Sequence, residues 1–309
     1  MPGRRLTPRA DLPAVVVAKA LRADGGRDRL GRLDDRVAGL AARWGVRVGG
    51  PLGGGTAACV LRAERADGTA AVLRLPVPGP QVAGGTRTLL EAGGRGYVRV
   101  LAHDGDDLLL ERLGPSLDRA GLSPARQARL LAGLLPLVWT EPLQAPVDRA
   151  AGLAEFLTGL LDGPTDAVAA RALEFAARRS RAFTPGRARW LHGDAAPSNA
   201  LLAPGRPAGA AFIDPEGVGG DPAYDVGVTL RDFSTDLLAV ARPADVLRRW
   251  CRGSARATGQ DPQAVWEFAF LERVTTGRYA ASLGAGTPRP ASRGRPGGCC
   301  RTRSAGLRR

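Results

Sequence analysis

Leu191-His192-Gly193-Asp194-Ala195-Ala196-Pro197-Ser198-Asn199-Ala200-Leu201, followed by Phe212-Ile213-Asp214-Pro215-Glu216-Gly217, carries most of the information in the chain. An acidic residue stands five positions ahead of an amide, and a second acidic residue follows the amide after fifteen more positions, behind an apolar run. Phosphoryl transfer needs such a set: one carboxylate to take a hydroxyl proton, and an amide with a second carboxylate to hold magnesium against nucleotide phosphates. The runs 200–202 and 210–213 read as a short strand pair that brackets this chemistry. Singly, each piece is equally a polar turn, because Asp and Asn are common turn formers. Their conjunction is what points to a reaction.

Upstream, residues 27–44 carry apolar side chains at helical spacing, Leu30, Leu33, Val37, Leu40 and Ala41. Extended segments follow at 46–48, 59–63, 70–75, 97–102 and 108–112, with a glycine loop at 49–56 and an Asp67-Gly68 hairpin signal. From Pro115 the pattern turns helical, over 124–138, 151–162, 165–182, 226–240, 243–257 and 261–283, with Asp261-Pro262 placed as an N-cap and first helical residue. Beyond about Thr287, Pro, Gly, Arg and Ser predominate without periodicity, the composition of a disordered tail.

The 309 residues suffice for two lobes around a substantial core. The net charge of +14 suggests nucleic acid, but seven of the arginines fall in 289–309 and no aromatic residues interleave with basic runs as a stacking platform requires. Nucleic-acid binding is therefore not expected. Four cysteines and two histidines show no zinc-ligand spacing. No apolar run has the length of a membrane span, and Asp11 interrupts the approach to the short apolar segment 12–18 that mimics a signal peptide. A cytoplasmic location is expected, with no membrane partner.

His192-Gly193-Asp194 with Asn199, Ile213-Asp214-Pro215, and Gly220-Asp221-Pro222-Ala223-Tyr224-Asp225 resemble the aminoglycoside phosphotransferase family, in its streptomycin 6-phosphotransferase and hydroxyurea phosphotransferase branch. The likeness extends from roughly Pro13 to Gly284 and is dense over 190–227. It implies an α+β, protein-kinase-like bilobal fold with a small β-rich N-lobe and a mainly helical C-lobe. The expected division is an N-terminal helical segment 1–35, an N-lobe 36–113, a helical C-lobe 114–286 and a basic tail 287–309. The implied activity is antibiotic resistance by ATP- (or GTP-) and Mg2+-dependent phosphorylation of a small-molecule hydroxyl, on an aminoglycoside such as streptomycin or on hydroxyurea.

The resemblance assigns Asp194 as catalytic base and Asn199 and Asp214 as magnesium ligands. His192 would fix the loop, and Asp221 and Asp225 would cap a helix and brace it. Gly53, Gly54, Gly55 and Thr56 would let backbone approach the phosphates, with Arg74 and Glu111 also on the nucleotide side. Glu216 shares the cleft, as a solvated turn residue or a further ligand.

Three departures stand out. Arg74 replaces a lysine in a Val-Leu-Lys-Leu type strand, and a planar guanidinium is not equivalent to a compact ammonium. The helix glutamate that orients that lysine has no clear counterpart, Glu91 lying late. The Arg-rich end replaces a region that supplies acceptor carboxylates in aminoglycoside kinases, leaving Asp232, Asp236, Glu267 and Glu272 on helices. These departures motivate an alternative, a degenerate kinase-like module that binds nucleotide or a partner without efficient transfer.

Overall fold

The computed structural model describes residues 12–53, 57–161 and 163–282. The chain begins with α1 (Ala14–Arg22), α2 (Gly26–Gly31) and α3 (Leu33–Trp44). Spacing of three and four puts Leu33, Val37 and Leu40 on one buried face of α3. Gly45, at φ +59°, ends that helix in the left-handed conformation glycine adopts without steric cost.

A five-stranded sheet follows. Strands β1 (Val46–Pro51), β2 (Ala58–Arg65) and β3 (Ala70–Pro76) form a meander, the helix α4 (Val82–Ala92) intervenes, and β4 (Val100–Asp104) and β5 (Asp107–Glu111) complete the order β1-β2-β3-β5-β4. Every pairing is antiparallel. The Asp67-Gly68 turn forms as expected, with Gly68 at φ +80° and Thr69 N–H donating to Asp67 Oδ1 at 2.9 Å. Leu61, Leu73 and Leu75 face α3, so this helix and the sheet share one core. Asp107, fully buried, anchors the packing by accepting from Arg29 at 2.5 Å and from Arg36.

The second lobe comprises α5 (Pro124–Val138), α6 (Arg149–Gly159), α7 (Ala167–Ala182), the short strands β6 (Arg189–Leu191), β7 (Ala200–Leu202), β8 (Ala210–Phe212) and β9 (Val218–Gly220), then α8 (Pro222–Thr229), α9 (Ser234–Leu238), α10 (Pro243–Thr258) and α11 (Pro262–Ser282). Asp148, Asp166 and Asp221 cap α6, α7 and α8 by accepting from backbone N–H groups of the first turn. Asp261 does the same for α11, accepting from Gln263 N–H at 3.1 Å. The two strand pairs, β6 with β9 and β7 with β8, lie between the helices and carry the polar loops. This is the kinase-like α+β architecture expected from the sequence: an antiparallel sheet in the N-lobe and helices in the C-lobe.

Two expectations are corrected. The single helix over 226–240 is two helices, α8 and α9, broken at 230–233. Apolar periodicity runs through the break because Leu230 and Phe233 are themselves core residues, Phe233 meeting the Trp250 ring edge-on at 5.5 Å. The strand over 97–102 instead pairs in the sheet from Val100. Tyr97 and Val98 are drawn toward β8, where Val98 N–H donates to the Phe212 carbonyl at 2.9 Å. That contact is nonlocal and joins the lobes. The tail beyond 287, with Cys299-Cys300, lies outside the described residues.

Candidate active site

The loop after β6 is held from behind by Asp225. This residue sits in the first turn of α8 and is fully buried. Its Oδ2 accepts from His192 N–H and its Oδ1 from Gly193 N–H, each at 2.9 Å, while the Trp139 indole N–H donates to Oδ2 at 3.0 Å. A buried carboxylate satisfied by three donors fixes two consecutive peptide planes. Gly193 takes φ +87°, and a Cβ there would meet Glu216 Cβ at 2.7 Å, so only glycine fits.

His192 is fully buried, between Phe212 with ring centroids at 4.5 Å and Tyr97 at 5.9 Å. Asp194 N–H donates to its Nδ1 at 3.1 Å, which makes Nε2 the protonated nitrogen, donating to the Ile213 carbonyl at 2.9 Å. Burial pushes its pKa below the ordinary value of 6.5, against the opposing pull of Asp225 and Asp194. A neutral ring with both nitrogens bonded ties the 192–199 loop to the 213–217 loop. It has no free nitrogen for proton transfer.

Asn199 ends a short 3-10 turn, Pro197–Asn199, just ahead of β7. Its Nδ2 donates to Asp194 Oδ2 at 2.9 Å and to the Asp194 carbonyl at 3.0 Å. Its own carbonyl accepts from Ile213 N–H at 2.8 Å, which continues the β7–β8 ladder and sets Asp214 one residue further on. Three residues separated in sequence are thus brought onto adjoining loops by a two-stranded ladder. Asp214 is the only non-glycine described residue at positive φ, +51°. Asp tolerates this region better than most residues, but at a cost of order 1 kcal/mol, which the β8 ladder and its partners must offset.

Arg74, from the middle of β3, donates through Nε to Asp214 Oδ1 at 2.7 Å. The missing helix glutamate has its explanation here. Helix α4 meets the 213–217 loop through glycine: a Cβ on Gly85 would lie 2.3 Å from the Pro215 carbonyl oxygen, and one on Gly84 3.0 Å from that of Glu216. The approach is too close for an acidic side chain. Asp214 supplies the carboxylate instead, and Glu91 is exposed.

The remaining expected residues divide. Asp221 caps α8 through Ala223 N–H at 2.9 Å. Glu111, at the end of β5, accepts through Oε1 from Arg99 N–H at 2.8 Å and from Arg206, so its side chain braces the junction of the lobes. Gly53 follows β1, and Gly54, Gly55 and Thr56 lie outside the described residues.

Two arginines of the site were not anticipated. Arg231, in the break between α8 and α9, donates through Nη2 to Asp194 Oδ1 at 2.9 Å and through Nε to Asp232 Oδ1 at 2.8 Å, and reaches Glu272 Oε2 at 3.4 Å. Burial opposes its charge, yet Asp194 and Asp232 hold its pKa above the ordinary guanidinium range. Arg149, at the start of α6, bonds the Tyr224 hydroxyl at 2.7 Å and Glu216 Oε2 at 3.1 Å. Burial raises the Glu216 carboxyl to about 7, countered by Arg149 and reinforced by Asp194. Of the helix acids, Asp232 and Glu272 reach Asp194 through Arg231. Glu267 is tied to Arg178 at 2.7 Å and Arg179 at 2.5 Å between α7 and α11, and Asp236 is exposed. An arginine in an Arg-rich chain gives no local signal of such a role.

The chemistry of the donor set fits a hard cation. Asn199 donates through Nδ2 and keeps its amide oxygen free of described partners, and Asp214 has one carboxylate oxygen beyond that bonded to Arg74. Among the described residues no group of three or more His, Cys, Asp or Glu gathers as a metal cage. Two protein oxygens completed by phosphates and water is the arrangement magnesium favours.

The sequence profile of the aminoglycoside/hydroxyurea antibiotic resistance kinases matches residues 43–284. The chain is 38% identical over 241 residues to a hydroxyurea phosphotransferase of Kitasatospora aureofaciens, covering 72% of this chain and 68% of that protein. It is 32% identical over 253 residues to a streptomycin 6-kinase of Streptomyces glaucescens, covering 77% and 80%. Among solved structures, an amicoumacin kinase in complex with AMP-PNP, Ca2+ and amicoumacin superposes with TM-score 0.55 over 83% of this chain and 89% of that one at 9% identity, a likeness of fold. The chain belongs to the aminoglycoside/hydroxyurea antibiotic resistance kinases, phosphotransferases that act on small-molecule hydroxyl groups.

Proposed function

We propose that the protein transfers the γ-phosphoryl group of ATP, with magnesium, to a hydroxyl of hydroxyurea or of an aminoglycoside such as streptomycin, with Asp194 as the base. The observation that carries this reading is the ladder-held set: Asn199 Nδ2 at 2.9 Å from Asp194 Oδ2, and Asn199 carbonyl at 2.8 Å from Ile213 N–H, beside Asp214. Asp194 takes the acceptor proton as the hydroxyl attacks. Asn199 and Asp214 hold magnesium through oxygen, and the ion offsets charge on the phosphates when bound. His192 stays neutral and keeps the two loops in register, and Arg74 supplies the cation of the phosphate side. The reading as a degenerate module has no support, because the family and the relatives named above are phosphotransferases.

The test is acceptor-dependent nucleotide consumption by the purified chain, run on a panel of hydroxyl compounds beside Asp194→Ala. The variant should lose about 10²–10⁴-fold in turnover, the usual contribution of a positioned base, while binding nucleotide as the parent does. Absence of acceptor-dependent turnover in the parent, or full turnover in the variant, would overturn the proposal.

A further inference from the structure

We propose that Arg206 is a positioning residue of the nucleotide side: from the turn of the β7–β8 hairpin it fixes that hairpin to the N-lobe and so sets Asn199 and Asp214 against Arg74. The inference rests on the reading of Asn199 and Asp214 as metal ligands. The hairpin has two ends. Asn199 and Asp214 lie just outside its open end, while Arg206 sits in the 203–209 turn at the other. That turn is closed by backbone, with Arg206 N–H donating to the Ala203 carbonyl and Gly209 N–H to the Arg206 carbonyl, each at 2.9 Å. The Arg206 side chain is only 16% exposed. Its Nη1 donates to the Gly94 carbonyl at 2.6 Å and meets the Tyr97 carbonyl at 3.4 Å, and its Nη2 donates to Glu111 Oε1.

Glu111 and Arg74 belong to one strand pair. In the β3–β5 register Ala71 faces Glu111 and Arg74 faces Leu108, which puts the two side chains three positions apart, about 10 Å along the strands. The hairpin is therefore bound to this strand pair at two points, with the charges reversed. Arg74 donates to Asp214 at the open end, and Arg206 donates to Glu111 at the turn. One contact fixes a distance and leaves a rotation; the second removes the rotation. Backbone bonds hold the hairpin on both edges as well. Gly114 N–H donates to the Leu202 carbonyl at 3.0 Å and Leu202 N–H to the Pro115 carbonyl at 2.9 Å, and on the other edge Phe212 N–H donates to the Gly96 carbonyl at 2.9 Å. Those partners lie in the segments that connect the lobes, whereas the Arg206–Glu111 pair reaches the sheet itself.

The two points differ in what competes for them. Arg74 and Asp214 are the groups that phosphate and metal would claim, so their mutual bond must yield or be shared when nucleotide binds. Arg206 and Glu111 are satisfied from within the chain, Glu111 Oε1 accepting from Arg99 N–H at 2.8 Å as well. Their bond persists and holds the hairpin in place while its open end exchanges partners. Such a hold matters because a displacement of about 1 Å arising far from the chemistry can cost about 10²-fold in rate.

The experiment compares the full chain with Arg206→Ala, Arg206→Lys and Glu111→Gln. Each is titrated calorimetrically with AMP-PNP, with and without Mg2+, and followed by steady-state kinetics and a thermal melt. Mg2+ should strengthen AMP-PNP binding to the parent. Arg206→Ala should cut that gain by about tenfold and raise the nucleotide KM by about as much, leaving the acceptor KM parental. Arg206→Lys should restore part of the gain, since an ammonium still reaches some of the same acceptors. Glu111→Gln keeps the shape without the charge and should shift the same quantities in the same direction by a smaller factor. A folded Arg206→Ala with parental Mg2+ gain and parental nucleotide KM overturns the inference. If Arg206→Ala does not fold, Glu111→Gln decides: parental behaviour overturns the inference, and so does loss of folding in both, which assigns the pair to stability alone. Absence of any Mg2+ gain in the parent, or its persistence in Asp214→Ala, would instead overturn the metal assignment, so the two failures are distinguishable.

Discussion

Arg74 Nε lies 2.7 Å from Asp214 Oδ1, a bond between residues 140 positions apart that joins strand β3 of the N-lobe to the loop after β8 of the C-lobe. Both side chains are partly shielded, at 15% and 37% exposure. The arginine and the carboxylate complete each other between the two lobes.

This pair makes Arg74→Lys a nonconservative change. Lysine keeps the charge but lacks the Nε–H that bonds Asp214 and the planar fork that leaves two further nitrogens for phosphate. Turnover should fall on the order of tenfold to a hundredfold, with a rise in the KM for nucleotide, in steady-state assays at saturating acceptor. A gain in turnover would mean the site is shaped for lysine.

Asp225 is the structural keystone behind the Asp194 loop. Removing its carboxylate strands two backbone N–H groups and the Trp139 indole in a buried place. Asp225→Ala should lower unfolding free energy by about 3 kcal/mol or more in urea titrations, since each orphaned buried donor costs about 1–3 kcal/mol. Asp225→Asn should also destabilise, because its amide NH2 faces a donor.

His192 carries a pH dependence whose sign is fixed. Its folded pKa lies below the ordinary 6.5, chiefly through burial. As pH falls past about 6.5 the unfolded chain takes up this proton and the folded chain does not. The stability contribution is therefore present above about 6.5 and lost as pH falls toward the folded pKa, at up to about 1.4 kcal/mol per pH unit. Urea titrations between pH 8 and 5.5 should show this slope, and His192→Asn should flatten it. An unchanged slope in the variant would assign the effect elsewhere.

Gly85→Ala tests the close approach of α4. The new methyl would fall 2.3 Å from the Pro215 carbonyl oxygen, which is backbone and cannot swing aside. Either the helix or the loop must move. A loss of about 1–3 kcal/mol in stability is expected, together with a fall in turnover because Asp214 adjoins Pro215. Gly133→Ala is the control, as no atom lies within 4 Å of its added Cβ.

The local sequence was sufficient for the helices of period 3.6, the Asp67-Gly68 hairpin, the aspartate caps and the grouping of Asp194, Asn199 and Asp214. Each of these is written within a few residues, in periodicity or turn chemistry. The end of α8 was not legible, because Leu230 and Phe233 keep the apolar pattern going while the backbone leaves the helix to point Arg231 at Asp194. Nor could sequence show why α4 lacks its glutamate. Only the packed fold brings Gly84 and Gly85 against the 213–217 loop and lets Asp214 answer Arg74.

The sequence by itself thus determined the reaction class and the grouping of Asp194, Asn199 and Asp214, since those lie on two short loops joined by one strand pair. The tertiary structure alone brought Arg149 and Arg231 to Asp194 and Glu216, because they come from separate elements and look like every other arginine in the chain. Charge partners across long sequence separations are chosen by packing, and packing is not written in any local pattern.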